Sequence, residues 1–233
     1  MSVITTYTSI IVPVYNEEST IREVIERLLS LPMNRQVIVV DDGSTDRTLS
    51  IVTEYKDKVD IAKHTFNQGK GMAIRTGIAI AVGAIIVVQD GDLEYYPEEL
   101  PLVIEPIIRG DADMVYGSRF ITGFPRNMEL RYRLVNQCLK WLARVLYGIR
   151  VSDITTGCKA MPTEIARMMD LKSTGFEICE EMIAKAVTLG LRIVEIPIAY
   201  RPRSWRNGKK IRWTDGFIAV WTLLKYRLLS PHR

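Results

Sequence analysis

The chain has 233 residues, of which 47% are hydrophobic and 25% charged, with a formal net charge of +4. At about 150 residues per domain that is one domain, long enough to bury a sizeable core. No run of about 18 apolar residues occurs, so nothing is built to span a bilayer unaided, and the opening MSVITTYTS lacks the charged and apolar regions of a secretory signal.

The charge is unevenly placed. Residues 201–233 carry nine Lys/Arg and one acid, Asp215, a local +8, against 22 basic and 26 acidic residues over 1–200. A mildly acidic body with a basic tail points to an anionic partner: phosphates, an anionic membrane surface or nucleic acid. Cys138, Cys158 and Cys179 are far apart and form no CxxC or Cys/His cluster, so reduced thiols in a cytoplasmic protein are expected and a zinc site is not.

In chain order, short apolar runs alternate with amphipathic segments. SIIVPV (9–14) reads as a strand ending at Tyr15-Asn16-Glu17. Residues 19–31 space Ile21, Val24, Ile25, Leu28 and Leu29 as a helix, with Ser19 or Asn16 available to cap it. QVIVV (36–40) is a second strand, closed by Asp41-Asp42-Gly43-Ser44, with a helix expected from Asp46. Strands follow at 60–64, 84–90 and 112–118, with helices at 71–82 and 98–109. The second half is less regular: a helix near 129–147, turns around Asp153–Cys158, a helix at 177–189 and the apolar stretch RIVEIPIAY (192–200). Trp213–Leu229 is amphipathic, with Phe217, Val220, Trp221, Leu224 and Leu228 near one face. Continuous apolar strands alternating with helices predict a mostly parallel sheet flanked by helices, in one α/β domain over 1–212, with a basic amphipathic segment at 213–233.

Ligands of such sheets bind beyond the carboxyl ends of the strands, and three acidic clusters sit there. Asp90 and Asp92, two apart at a strand end, project to the same side. Such hard oxygen donors suit Mg²⁺ or Mn²⁺ carrying a diphosphate, with Glu94 able to add a further oxygen. Asp-Gly is also a common turn dipeptide, and only the neighbouring clusters outweigh that reading. The Asp41-Asp42 carboxylates suit ribose hydroxyls or a base edge, although Ser44, Thr45 or Asp46 equally suits a helix cap. Gly69-Lys70-Gly71 reads as a phosphate contact or as a plain loop. Neither GxGxxG nor GxxxxGK[ST] is present, which disfavours dinucleotide and P-loop folds.

VPVYNE (12–17), VVDDGSTDRT (39–48), NQGKGMAIRTG (67–77), QDGDLEYYPEEL (89–100), GSRF (117–120) and TGCKAM (156–161) occur in the order found in family 2 glycosyltransferases of the GT-A fold. The chain most resembles the dolichyl-phosphate mannose synthases and related polyprenyl-phosphate hexosyltransferases, over nearly its whole length. The resemblance implies that Pro13, Tyr15, Glu17, Val40 and Asp42 line a nucleotide pocket, that Asp90, Gly91, Asp92 and Glu94 hold metal and diphosphate, and that Arg119 lies near the sugar or phosphates. Where this chain has Glu94 the family often has Gln. Arg133, or its neighbour Arg131, resembles the family arginine that meets phosphate, while Arg203 and Lys210 match basic residues near the acceptor phosphate. Glu181 falls where the family has the acid of its FQxE segment, although Ile178-Cys179 replaces FQ.

The expected reaction is inverting, metal-dependent transfer of mannose or glucose from GDP-mannose or UDP-glucose to polyprenyl (dolichyl) phosphate. A cation on Asp90 and Asp92 would stabilise the leaving diphosphate, and an anionic phosphate acceptor needs no general base. The tail, with Trp205, Trp213 and Trp221, suits a membrane interface or a helix packed on its own domain. We expect peripheral attachment at the cytoplasmic face of a membrane, direct or through a separate membrane subunit. Transfer to a saccharide hydroxyl is the rival enzymatic reading. Nucleic-acid binding is not expected, because no RNP, zinc-finger or dsRBD signature accompanies the basic tail.

Overall fold

In the computed structural model, which describes residues 4–123, 130–202 and 213–229, the run at 9–14 lies in strand β1 (Ile4–Val14) with both faces covered. Ile10 and Val12 face one layer, against Val24, Ile25 and Leu28 of α1 (Ile21–Ser30) and Val103 and Ile104 of α4 (Leu100–Ile108). Ile11 faces the other, with Ile74 and Ile78 of α3 (Lys70–Ile80). Side chains alternate across a strand, so cover on both faces is what makes the run continuously apolar. Ile10, Ile11 and Val12 are 0% exposed, and each such burial contributes about 1.5–3 kcal/mol.

The other strands are β2 (Met33–Asp41), β3 (Asp60–Lys63), β4 (Ile85–Val88), β5 (Met114–Ser118), β6 (Lys159–Pro162) and β7 (Ile193–Pro197), and the sheet order is β3-β2-β1-β4-β6-β5-β7. β6 runs antiparallel to both β4 and β5, and the remaining pairs are parallel. The sequence reading leaves this strand unassigned, directly after the turns expected around Asp153–Cys158. Its four residues, KAMP, include a lysine and a proline and carry no readable period. Chain reversal at β6 sets the tips of β1, β2 and β4 beside a second group of segments, α5 (Leu130–Tyr147), α7 (Ile178–Thr188) and α8 (Trp213–Leu229). Two short helices, α2 (Thr48–Thr53) and α6 (Thr163–Met168), and a 3-10 turn at Pro97–Glu99 leading into α4 complete the described set.

α8 packs against α5 and α7, burying Ala219 and Leu223, while Phe217, Trp221 and Leu228 on its other side are exposed. Val220 and Leu224, expected beside Phe217, are half-buried. One side of the helix is thus fastened to the domain and the other is open. No described helix is long and apolar enough to cross a membrane.

Candidate active site

The strand tips are cross-tied before any ligand enters. Asn16 does not cap α1. It adopts a left-handed conformation (φ 50°), its amide donates to Ser44 Oγ at 2.9 Å and its Oδ1 accepts from the Thr45 amide at 2.8 Å. Asparagine tolerates that backbone region better than most residues. Thr20, at the start of α1, donates from its hydroxyl to the Gly91 carbonyl at 2.8 Å, which joins the β1 and β4 tips. Asp46 accepts from the Thr48 amide at 2.9 Å, so it serves the start of α2, which begins two residues later than the sequence suggests.

A cleft of about 520 Å³ opens over these tips. Pro13, Tyr15, Glu17 and Asp42 line one side, Asp90, Gly91, Asp92 and Glu94 its centre, and Arg119 the far side. Val40 is the exception among the expected pocket residues: its side chain is fully buried under α3. Arg133 is half-buried on α5 and is not on the cleft wall. The Arg131 side chain, Arg203 and Lys210 lie outside the described residues.

The loop carrying Asp90 and Asp92 is tightly wound. Leu93 has φ 58°, an uncommon conformation for a branched residue, of the kind that strained functional loops retain. A Cβ on Gly157 would fall 2.3 Å from Asp90 Oδ2, so the Thr156-Gly157-Cys158 segment can approach Asp90 only with glycine there. Asp90 Oδ1 lies 2.6 Å from Lys70 Nζ. Burial works against the Lys70 charge, but Asp90 beside it more than compensates and holds the ammonium above its ordinary range. Gly69-Lys70-Gly71 is therefore not a plain loop: it opens α3, and its lysine faces Asp90. Asp92 Oδ1 accepts from the Glu94 amide at 3.0 Å, and Glu94 Oε2 accepts from Tyr200 at 3.0 Å.

Among the described residues no group of three His, Cys, Asp or Glu is placed to hold a metal. Of the expected trio, Asp90, Asp92 and Glu94 all line the cleft, and Glu94 Oε2 is engaged by Tyr200. Two carboxylates still fit a Mg²⁺ or Mn²⁺ ion, because such ions are commonly held by one or two carboxylates together with substrate phosphates.

Three arrangements escaped the sequence reading. His64, outside every motif, sets Nδ1 2.7 Å from Asp42 Oδ1 and Nε2 2.9 Å from Thr76 Oγ1. Asp42 also accepts from the amides of Gln68 at 2.9 Å and Gly69 at 2.8 Å, so its carboxylate shapes the loop that presents Lys70. Arg119 is gripped in a fork by Asp153, with Nε to Oδ2 at 2.6 Å and Nη2 to Oδ1 at 2.7 Å, and it lies over the Tyr200 ring at 5.0 Å. Burial opposes the Arg119 charge, but Asp153 outweighs it, and the guanidinium stays firmly protonated. Finally, Glu180 of α7 lines the cleft, while Glu181 turns away from it. Glu181 accepts from the amides of Lys172 at 2.8 Å and Ser173 at 2.7 Å and from the Tyr226 hydroxyl at 2.7 Å, which ties α7 to α8. Burial raises the Cys158 thiol to about 12, so it is no nucleophile.

Residues 9–167 match the model of the family described as glycosyl transferase family 2. The chain is 29% identical over 229 residues to the polyprenol monophosphomannose synthase of Mycolicibacterium smegmatis, covering 92% of this chain and 86% of the relative. It is 32% identical over 242 residues to the UDP-N-acetylglucosamine–dolichyl-phosphate N-acetylglucosaminyltransferase of Methanococcus voltae, covering 94% and 95%. A crystal structure of Mycobacterium tuberculosis glucosyl-3-phosphoglycerate synthase with Mn²⁺, UDP-glucose and phosphoglyceric acid matches with a TM-score of 0.74 at 24% identity. That match covers 97% of this chain and 81% of the other, a likeness of fold that agrees with the GT-A architecture. With the family model covering more than half of its length, the chain belongs to glycosyl transferase family 2.

Proposed function

We propose that this glycosyltransferase moves a hexose from a nucleotide sugar to a polyprenyl phosphate, with inversion, using a divalent cation held by Asp90 and Asp92. The observation that carries the reading is one cleft in which a carboxylate pair, Lys70 and Arg119 converge beside two helices with exposed apolar stripes. The nucleotide rests against the tips of β1 and β2, which places its diphosphate over Asp90 and Asp92. The cation supplies Lewis-acid stabilisation of that diphosphate. Lys70 adds a second positive charge at the same place, and Arg119, immobilised by Asp153, presents its guanidinium without losing further side-chain freedom.

An acceptor oxygen attacks the anomeric carbon from the face opposite the diphosphate, which departs with the bonding electron pair. A lipid monophosphate, with a second pKa of about 6, is already anionic near neutral pH, so no proton has to be removed.

The approach route supports a lipid acceptor. Leu134, Trp141 and Val145 form an exposed stripe on α5, and Phe217, Trp221 and Leu228 another on α8. The two helices pack on each other, and Val135, Leu139, Gly216 and Ala219 carry their apolar surface into the cleft. Paired apolar stripes of this kind suit an interfacial position on a bilayer, where Lys and Arg meet anionic headgroups.

The acceptor assignment is tested by supplying labelled GDP-mannose, UDP-glucose and UDP-N-acetylglucosamine in turn, with Mn²⁺. Polyprenyl phosphate in anionic vesicles competes there with a panel of soluble saccharides. Label on the lipid phosphate is the expected product; label on saccharide alone would contradict the proposal.

A further inference from the structure

Glu180 is a costly residue to keep. It is 2% exposed, yet its carboxyl makes no ion pair and no side-chain hydrogen bond to another residue among those described. Burial pushes it up to about 7, against the opposing pull of Lys159. Burying an acid whose one hydrogen bond is to its own backbone is unfavourable unless a ligand supplies further partners. Lys159 is not its obligate counter-ion, because that ammonium already donates to the carbonyls of Ile154 at 3.2 Å and of Thr156, and faces the Tyr116 ring at 4.6 Å.

A second buried group opens on the same cleft. Asn136 of α5 is 2% exposed; its Nδ2 donates to the Ser152 carbonyl at 3.0 Å, while its Oδ1 has no partner. Both groups are oxygen acceptors, so a phosphate would be repelled, whereas a hydroxyl donor would satisfy them. Their place in the fold narrows the ligand. α7 covers β5 and β6, so Glu180 enters the cleft from the β6 side of the acid pair, opposite the tips of β1 and β2. Cys179 Sγ, next to Glu180, lies 3.6 Å from the Thr156 carbonyl, and the adjoining Gly157 abuts Asp90. A diphosphate over Asp90 and Asp92, with its nucleoside towards β1 and β2, turns its other substituent towards this side.

We infer that Glu180, with Asn136 on the wall of the same cleft, is a specificity determinant that hydrogen-bonds hydroxyls of the hexose being transferred. The inference rests on the proposed reaction and adds to it the residues that read the sugar.

The test is calorimetric, with Mn²⁺ present, using GDP-mannose, UDP-glucose and UDP-N-acetylglucosamine against GDP and UDP. Glu180→Leu is expected to weaken the preferred nucleotide sugar about tenfold, as loss of a hydrogen bond to an acid does, while bare nucleoside diphosphate binds within about twofold of wild type. Glu180→Gln should recover part of the loss. An unchanged ratio of sugar nucleotide to diphosphate affinity in Glu180→Leu overturns this inference alone. Failure of the wild type to take up any of the three sugars overturns the proposed reaction with it.

Thermal stability supplies the control. Among the described residues, Lys159 of β6, Tyr116 of β5 and Glu177 and Cys179 of α7 are the titratable groups that interact with Glu180, and Asp215 of α8 lines the same cleft, as do Lys70, Asp90, Asp92, Glu94 and Arg119. An acid raised from 4.5 to about 7 destabilises the folded state progressively as pH climbs through that window. Glu180→Gln should therefore melt about 2–4 °C above wild type at pH 8 and lose that advantage near pH 4.5. A wild type that is the more stable at pH 8 would mark Glu180 as a structural partner of Lys159 and overturn the inference.

Discussion

Asp92→Asn is expected to lower the transfer rate by about 100- to 1000-fold, the range seen when one preorganised group facing a developing charge is removed. The change keeps the shape and the hydrogen-bond acceptor that receives the Glu94 amide at 3.0 Å, so the loop should hold its form. What is lost is one negative charge opposite the diphosphate. On the proposed reaction a cation would then be held by Asp90 alone, and Asp90 is already paired with Lys70 at 2.6 Å. Initial-rate measurement at saturating donor, with circular dichroism and a melting curve unchanged, is the expected pair of results. Near-normal turnover in a folded variant would remove Asp92 from the reaction.

The second large effect falls on stability. Asp153 is 0% exposed and accepts from Nε and Nη2 of Arg119 in a fork, and its Oδ2 also accepts from the Arg119 backbone amide at 3.1 Å. Asp153→Ala leaves a buried guanidinium with Thr155 Oγ1 at 2.8 Å and the faces of Phe120 and Tyr200, none of which carries a compensating charge. Breaking one side of a buried pair costs about 3–5 kcal/mol, which for a chain of this size lowers the melting temperature by roughly 10 °C. Removing both partners, as Arg119→Met with Asp153→Leu, should recover much of that loss while activity stays low. Differential scanning calorimetry of the single and double variants separates the structural share of this pair from its share in the reaction.

The parts of this molecule that were legible in the sequence are those whose cause is local. Buried strands must be apolar, and the polar residues that stop them mark the face where ligands enter. Tyr15, Asp42, Asp90 and Asp92 could be set at one rim for that reason, and the order of the motifs then carried the family. β6 was not legible, because four residues containing Lys159 have no period, and Lys159 is buried only through carbonyls and a ring supplied by other segments. His64 looked idle because its partner Asp42 is 22 residues away, and their contact exists only once β2 and β3 pair.

Glu180 and Glu181 make the same point at closer range. Both are acids on one helix, about 100° apart around its axis. The packing of Lys172, Ser173, Lys185 and Tyr226 around Glu181 buries it away from the cleft and leaves Glu180 to line it. α8 fastens one stripe to α5 and α7 while the opposite stripe stays open, a division that its amphipathic pattern alone does not fix.

Cation-assisted binding of an activated sugar by the β4 tip underlies the proposed reaction. Titration calorimetry of wild type, Asp90→Asn and Asp92→Asn with a panel of nucleotide sugars, with Mn²⁺ and with chelator, measures it directly. Wild type should bind at least one nucleotide sugar about tenfold or more tightly with Mn²⁺ than with chelator, and both variants should lose that increment. Equal binding with and without the cation, or an increment that survives both substitutions, would contradict it.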